Sequence, residues 1–364
     1  MLLVACATSH ERAAPSPSAV SRHPVAIEVG TFATLVTLSD GAVYSWGDQS
    51  WIPLSSSPRV VPELAGARSL AVGAVDFCGI RSGEAICLRN RPSEAGLHPQ
   101  VLSGPVSLQE ASGRVHARAA GDSYWELQRG SYVPGSSGPY DEWLRIPVSS
   151  ADVVGAMGGL VVLRQGAVVF ITGDGVRPYV QQPYDSFRGA VSVTHSATDG
   201  CVLLADATVR CWTGFVPARD GPFLSADGVR VEAADAMRDP GLTEVVEVRH
   251  SVFFDNSTDE NPLYCARRTR GDVWCWGSNG CGVAELVEWR SDAVPTTCAN
   301  HVSASPVRVD LPRPAVQLGS GARHACALLD DASIYCWGGN YHGQLGDGSR
   351  VDSALPVRVA VPPS

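Results

Sequence analysis

The chain has 364 residues, a formal net charge of −9, and a composition that is 45% hydrophobic and 18% charged. That balance supports a buried core and excludes intrinsic disorder, and no apolar run reaches the roughly 18 residues a membrane-spanning helix needs. Every basic residue is an arginine, and the net acidity argues against a nucleic-acid partner, because affinity for phosphate backbones comes mainly from cationic contacts.

The 37 glycines and 25 prolines are spread along the whole chain, which points to many short strands separated by turns. In chain order, seven related units are recognisable. They are LVTLSDGAVYSWGD (35–48), CGIRSGEAICL (78–88), the degraded ARAAGDSYWEL (117–127), LVVLRQGAVVFI (160–171), CVLLADATVRCW (201–212), YCARRTRGDVWCWGSNGCG (264–282) and HACALLDDASIYCWGGNYHGQLGDG (324–348). Their centres fall near residues 44, 86, 124, 169, 211, 275 and 336, a spacing of about 48 residues, which lies in the range of propeller blades. Each unit alternates apolar and polar residues around a central turn, so each reads as a hairpin. The expected fold is all-β, a seven-bladed β-propeller over residues 25–361, preceded by a flexible tether over 1–24.

Cysteine spacing follows the hairpins. Cys201/Cys211, Cys265/Cys275 and Cys326/Cys336 are ten apart around turns at Asp206, Arg270 and Asp331, and Cys78/Cys87 is nine apart around the shorter Ser82-Gly83 turn. Directly opposed residues of antiparallel strands lie close enough for a disulfide. Leu35/Ser45 and Leu160/Phe170 are expected at the corresponding places of units one and four. Cys281 and Cys298 can close an insertion of the sixth unit, leaving Cys6 single; a zinc cluster of Cys275, Cys281, Cys298 and His301 is the alternative. Five bridges imply an oxidising compartment outside the cytosol.

Leu3-Val4-Ala5-Cys6 resembles the lipobox of bacterial lipoproteins, with Cys6 as the lipidated residue and 13–24 as a Ser/Pro/Ala-rich tether. Only five residues precede Cys6, fewer than a signal peptide uses, so either the start lies upstream or the likeness is accidental. The seventh unit is similar to the repeat of the regulator of chromosome condensation family, through Trp337-Gly338 and the Gly343-Gln344-Leu345-Gly346 segment; Cys275-Trp276-Gly277-Ser278-Asn279 and Trp46-Gly47-Asp48 carry the same pattern. The resemblance implies a seven-bladed propeller. Asn340 is expected to bond its own backbone, Gly343 and Gly346 to allow tight turns, and Trp337 and Leu345 to be core.

No catalytic constellation stands out, and no cofactor or metal is expected. His324 occupies a repeat position and reads as structural. Asp255, Asp259 and Glu260 read as a solvated acidic loop, and Arg267, Arg268 and Arg270 as a solvent-facing turn. The expected function is therefore non-enzymatic binding of a protein partner through propeller loops, by a monomer in the cell envelope or secreted space that meets the membrane only through a lipid anchor. The insertions 253–262 and 280–305 of unit six, with Trp289 and Arg290, are the first candidate surface. Alternatives are a nucleotide-exchange regulator like the eukaryotic namesake of the family, or a polysaccharide-binding or degrading surface protein using Trp51, Trp125, Trp143 and Trp289.

Overall fold

Short apolar alternations broken by turns such as Ser39-Asp40-Gly41 leave the chain no length for helices, and it folds as strands. In the computed structural model, residues 22–362 are described apart from short connections throughout and the longer segments 130–140, 181–188, 251–262 and 279–301. Among the described residues, seven four-stranded antiparallel sheets follow one another over 24–60, 68–103, 105–146, 152–180, 190–238, 245–308 and 315–358. The fold is an all-β propeller. Among the described residues, no helix is long and apolar enough to cross a membrane.

The leading strands of the sheets are Pro24–Val29, Arg68–Val72, Pro105–Ala111, Asp152–Ala156, Ala190–His195, Val245–His250 and Ala315–Ser320. Each leading strand packs against the leading strand of the next sheet, and Pro24–Val29 packs against both Ala315–Ser320 and His324–Leu329 of the last. The leading strands are therefore the convergent inner edge of the fold. The first and seventh sheets share no strand, so side chains and loops join the two ends of the chain.

Two insertions break the regularity. A two-stranded ribbon, Asn90–Arg91 with Glu94–Leu97, interrupts the second sheet, and a three-stranded sheet over 215–231 interrupts the fifth. The expectation that the large insertions belong to the sixth unit is thus incomplete, because the fifth also carries one.

Five described apolar clusters each straddle two neighbouring sheets, and the large buried side chains Trp46, Trp212, Trp337 and Phe77 sit within or beside them. A half-buried hairpin cannot stand alone, and stacking its faces on two neighbours removes this apolar surface from water. Four disulfides lie inside these clusters, Cys78–Cys87, Cys201–Cys211, Cys265–Cys275 and Cys326–Cys336, with Cα separations of 4.0 to 4.1 Å. In each, the two cysteines are direct partners across a hairpin.

Leu35 is opposite Ser45 in the first sheet, but Leu160 is opposite Ile171 in the fourth, and Phe170 faces Val161. The expected Leu160/Phe170 pair is corrected by the turn: the ladder ends at Arg164 and Ala167, leaving two residues between, so residues nine apart are the ones opposed, as at Cys78 and Cys87. The bond from Cys265 to Cys275 also removes Cys275 from the alternative zinc cluster.

Candidate functional site

Hairpin turns organise one face of the molecule. Asp40, Asp206 and Asp331 each accept a bond from the backbone N–H two residues on, at 3.0 Å, an Asx turn that fixes the bend. The next residue, Gly41, Ala207 or Ala332, takes a left-handed conformation. That twist turns carbonyls toward the neighbouring sheet: Gly41 O accepts from Gly66 N, Ala207 O from Val245 N and Gly271 O from Ala315 N. Every such clip brings a turn beside the start of the next leading strand.

The leading strands then share an irregularity. Five of them carry a one-residue bulge at their second position, and the bulged residue is Val25, Val106, Val191, Val246 or Val316. A bulged residue has no opposite partner and is turned out of the ladder. Val25, Val191, Val246 and Val316 are accordingly 42% to 53% exposed, whereas the other strand valines whose burial is described are mostly core. They stand at the turn-bearing end of the convergent strands. Sequence reading overlooked them, although the recurring Pro-Val-Ala-Ile, Pro-Val-Ser-Leu, Ala-Val-Ser-Val, Val-Val-Glu-Val and Ala-Val-Gln-Leu was the available signal.

Just past the bulge, polar side chains latch sheet to sheet. Ile27 N donates to Gln317 Oε1 at 3.0 Å while Gln317 Nε2 donates to Ile27 O at 2.7 Å. Leu318 N donates to Glu247 Oε2 at 3.2 Å, and Leu108 N to Ser69 Oγ at 2.8 Å. Ile27, Leu318 and Leu108 hold equivalent places, so each latch satisfies an N–H that an edge strand turns away from its own ladder. Glu247 also binds Arg267 at 2.8 Å and Arg249 at 3.0 Å. Farther along the inner edge, Glu28 is half-buried; burial raises its carboxyl to about 7 against the attraction of Arg249, with Glu247 adding to the rise.

Beside Val316, at the junction of the sixth and seventh sheets, lies a cleft of about 600 Å³ walled by Arg268, Arg270, Arg308 and Arg313. Arg268 binds Glu244 Oε2 at 3.1 Å and Thr243 O at 2.8 Å, and Arg313 binds Asp330 at 2.6 Å. Burial works to raise the Asp272 carboxyl, but the Trp274 indole N–H at 2.7 Å, Arg268 and, more weakly, Arg308 outweigh it and hold Asp272 below the usual carboxylate range. The three arginines expected on one solvent-facing turn thus divide. Arg267 is bound to Glu247 in the leading-strand network, whereas Arg268 and Arg270 face this cleft.

The opposite end of the seventh sheet carries the loop anticipated from its motif. Leu345 N donates to Asn340 Oδ1 at 3.0 Å, and Asn340 Nδ2 donates to Val351 O and Ser349 Oγ at 3.1 Å. Gly343 and Gly346 have φ of 72° and 68°, and a Cβ on Gly346 would stand 2.7 Å from Trp46 Nε1. Trp337 and Leu345 are fully buried. The loop reaches the first sheet: Trp46 Nε1 donates to Gln344 O at 2.9 Å, and His342 Nδ1 lies 3.0 Å from Asp48 Oδ2. His324 is fully buried with Nε2 3.3 Å from Thr34 Oγ1; burial first, and the charge of His342 second, push it down to about 3, so it is a neutral packing residue.

Cys6, Cys281, Cys298, Trp289, Arg290, His301, Asp255, Asp259, Glu260 and Trp51 lie outside the described residues, as do the side chains of Trp125 and Trp143.

Two profiles, both described as regulator of chromosome condensation (RCC1) repeat, match residues 315–344 and 331–364. The Ultraviolet-B receptor UVR8 of Arabidopsis thaliana is 30% identical over 89 residues, 24% of this chain and 18% of that protein. The E3 ubiquitin-protein ligase HERC2 of Homo sapiens is 30% identical over 97 residues, 27% of this chain and 2% of that protein. The match therefore spans less than a fifth of the length of either relative. Among solved structures, Prp20p of Saccharomyces cerevisiae, described with its binding to Gsp1p and histones, covers 93% of this chain and 77% of its own, at 16% identity and a TM-score of 0.46. Human WBSCR16 covers 93% of this chain and 83% of its own, at 14% identity and a TM-score of 0.46. The matched profiles take in Trp337, Asn340 and the leading strand with its bulged Val316, so residues 315–364 carry the regulator of chromosome condensation repeat.

Proposed function

We propose that the protein is a non-enzymatic recognition scaffold of an extracytoplasmic space, in which the seven four-stranded sheets are seven blades of one closed ring. The observation that carries this reading is the set of exposed bulged valines at the turn-bearing end of the convergent strands. Exposed apolar side chains gathered on one face are what protein interfaces desolvate. Four cross-strand disulfides support a location where thiols are oxidised, and Cys6 would hold the lipid that tethers the ring to a membrane.

The reading is tested by installing a photo-crosslinking amino acid at Val246, Val316 and, on an outer strand, Arg59, in the protein expressed in its native envelope. The expected result is one common protein adduct from Val246 and Val316 and none from Arg59. Adducts of equal yield from all three positions, or adducts to polysaccharide alone, would refute it. Maleimide labelling before and after reduction tests the compartment: the eight cysteines of the four bridges should react only after reduction.

A further inference from the structure

The cleft between the sixth and seventh sheets contains a charge that the fold does not ask for. Asp40, Asp206 and Asp331 hold their turns through a side-chain oxygen, and the equivalent residue of the sixth sheet is Arg270. A guanidinium has no acceptor, so Arg270 cannot perform that task. The bend keeps the backbone pair that all four turns share, here Gly271 N donating to Arg268 O and Arg268 N donating to Asp272 O. Gly271 has φ of 82°, and a Cβ there would meet Pro314 Cβ at 2.6 Å. The turn thus forms without help from the arginine side chain.

Charge accounting within the cleft gives the same answer. Arg268 is engaged with Glu244 and Asp272, and Arg313 with Asp330 and Asp331. The side chains of Arg270 and Arg308 are exposed and make no hydrogen bond or ion pair among the described residues, Arg308 acting on Asp272 only weakly and at a distance. Arg308 is the cross-strand partner of Trp274, and Arg270 stands at the turn that precedes Trp274, so the two cations flank that half-buried residue along the chain and across the ladder. Glu244 and Asp272 line the cleft with the arginines, and Asp330 and Asp331 stand against Arg313, so what sets the site apart is two guanidiniums with no bonded carboxylate beside an apolar lining that includes Val309 and Leu311. A local rule broken without structural compensation is the signature of a site.

We infer that this cleft takes a carboxylate-bearing peptide segment of a protein partner, with Arg270 and Arg308 pairing its Asp or Glu side chains and Trp274 with the apolar floor holding an aliphatic neighbour. The inference rests on the proposed role in protein recognition, and it names where the partner is read and by what chemistry. Paired carboxylates suit two planar guanidinium forks, which bind them bidentately. Val316, exposed two residues along the chain from Pro314 of the cleft wall, offers a peptide a further apolar contact that an isolated inorganic anion would not use.

The test selects a phage-displayed library of random twelve-residue peptides on the oxidised full chain, then measures the winners by fluorescence anisotropy. The expected winners are rich in Asp and Glu and bind more weakly as salt rises. Their affinity falls about tenfold or more in the Arg270→Glu, Arg308→Glu double variant and is unchanged in Arg350→Glu, an exposed arginine at the opposite end of the seventh sheet. If the double variant fails to fold by circular dichroism, Arg270→Gln with Arg308→Gln takes its place. Winners of neutral composition, or acidic winners that bind the double variant as well as the parent, overturn the cleft assignment and leave protein recognition standing. Selection of no peptide, together with salt-dependent binding of heparin fragments lost in the double variant, overturns both.

Discussion

Replacing Gln317 by alanine should loosen the join between the two ends of the chain. The side chain carries two hydrogen bonds, accepting from Ile27 N at 3.0 Å and donating to Ile27 O at 2.7 Å, across 290 residues of sequence. Ile27 is 1% exposed, so neither of its backbone groups finds bulk water once the amide is gone. A net hydrogen bond contributes roughly 0.5 to 1.5 kcal/mol, and an orphaned buried group costs about 1 to 3 kcal/mol. Gln317 itself is half-buried, which lets a water molecule recover part of the loss, so the expected destabilisation is about 2 kcal/mol. Gln317→Glu keeps the acceptor and replaces the donor with a second oxygen facing Ile27 O, and should be at least as costly at neutral pH. The assay is urea unfolding with disulfides intact, followed by tryptophan fluorescence and read as a shift in midpoint at constant slope. A change below about 0.5 kcal/mol for both variants would show that the latch does not hold the ends together.

Other perturbations follow from the same contacts. Because burial raises Glu28 to about 7, the native state holds its proton more tightly than the unfolded chain at 4.5; stability is fully present below 4.5 and declines as pH rises toward 7. Glu28→Gln should therefore stabilise the protein above pH 7 and leave it nearly unchanged below 4.5, seen as unfolding midpoints at pH 4 and pH 8. His324 has the opposite sign: pushed down to about 3, it contributes stability above its usual 6.5 that is lost as pH falls toward 3, and His324→Gln should flatten that acid limb. Replacing Cys326 and Cys336 together by alanine should cost about 2 to 4 kcal/mol by denaturant titration, since the bridge closes a short loop inside the cluster joining the seventh sheet to the first. Gly271→Ala should cost about 1 to 3 kcal/mol by thermal unfolding, from a side chain forced into a left-handed conformation against Pro314.

Much of this architecture is legible because it is local. A ten-residue spacing across one turn places Cys201 opposite Cys211 through hairpin geometry alone, and the Asn340 loop satisfies itself within a dozen residues. The fourth unit shows how fine the margin is. One residue fewer in the turn moved Phe170 from Leu160 to Val161, and nothing in the apolar pattern of that hairpin distinguishes the two registers. The inserted sheet over 215–231 is made of strands of two and three residues, too short for periodicity to register. The latch between Gln317 and Ile27 depends on where the chain returns, which no window of sequence contains. Arg270 was visible as a basic residue in a turn, but its meaning appears only when Asp40, Asp206 and Asp331 are found doing different work in the same place.

The bulged valines and the latches are two consequences of one irregularity. An extra residue at the second position of a leading strand shifts the ladder, so that Val316 faces outward while Gln317, next in line, reaches across to Ile27. In the sixth sheet the same shift exposes Val246 and directs Glu247 to Leu318 N. The device that ties neighbouring sheets therefore also lifts an apolar side chain onto the turn-bearing face, at a spacing set by the repeat. A repeat selected only for stability would have no need of valine at a position 42% to 53% exposed, where threonine keeps the strand propensity at lower exposure of apolar surface. Threonine substituted at Val25, Val191, Val246 and Val316 together should leave the latches and the unfolding midpoint within about 1 kcal/mol of the parent while sharply reducing partner adducts at that face. If the unfolding midpoint collapses instead, the valines are core by another route and the face has no claim to recognition.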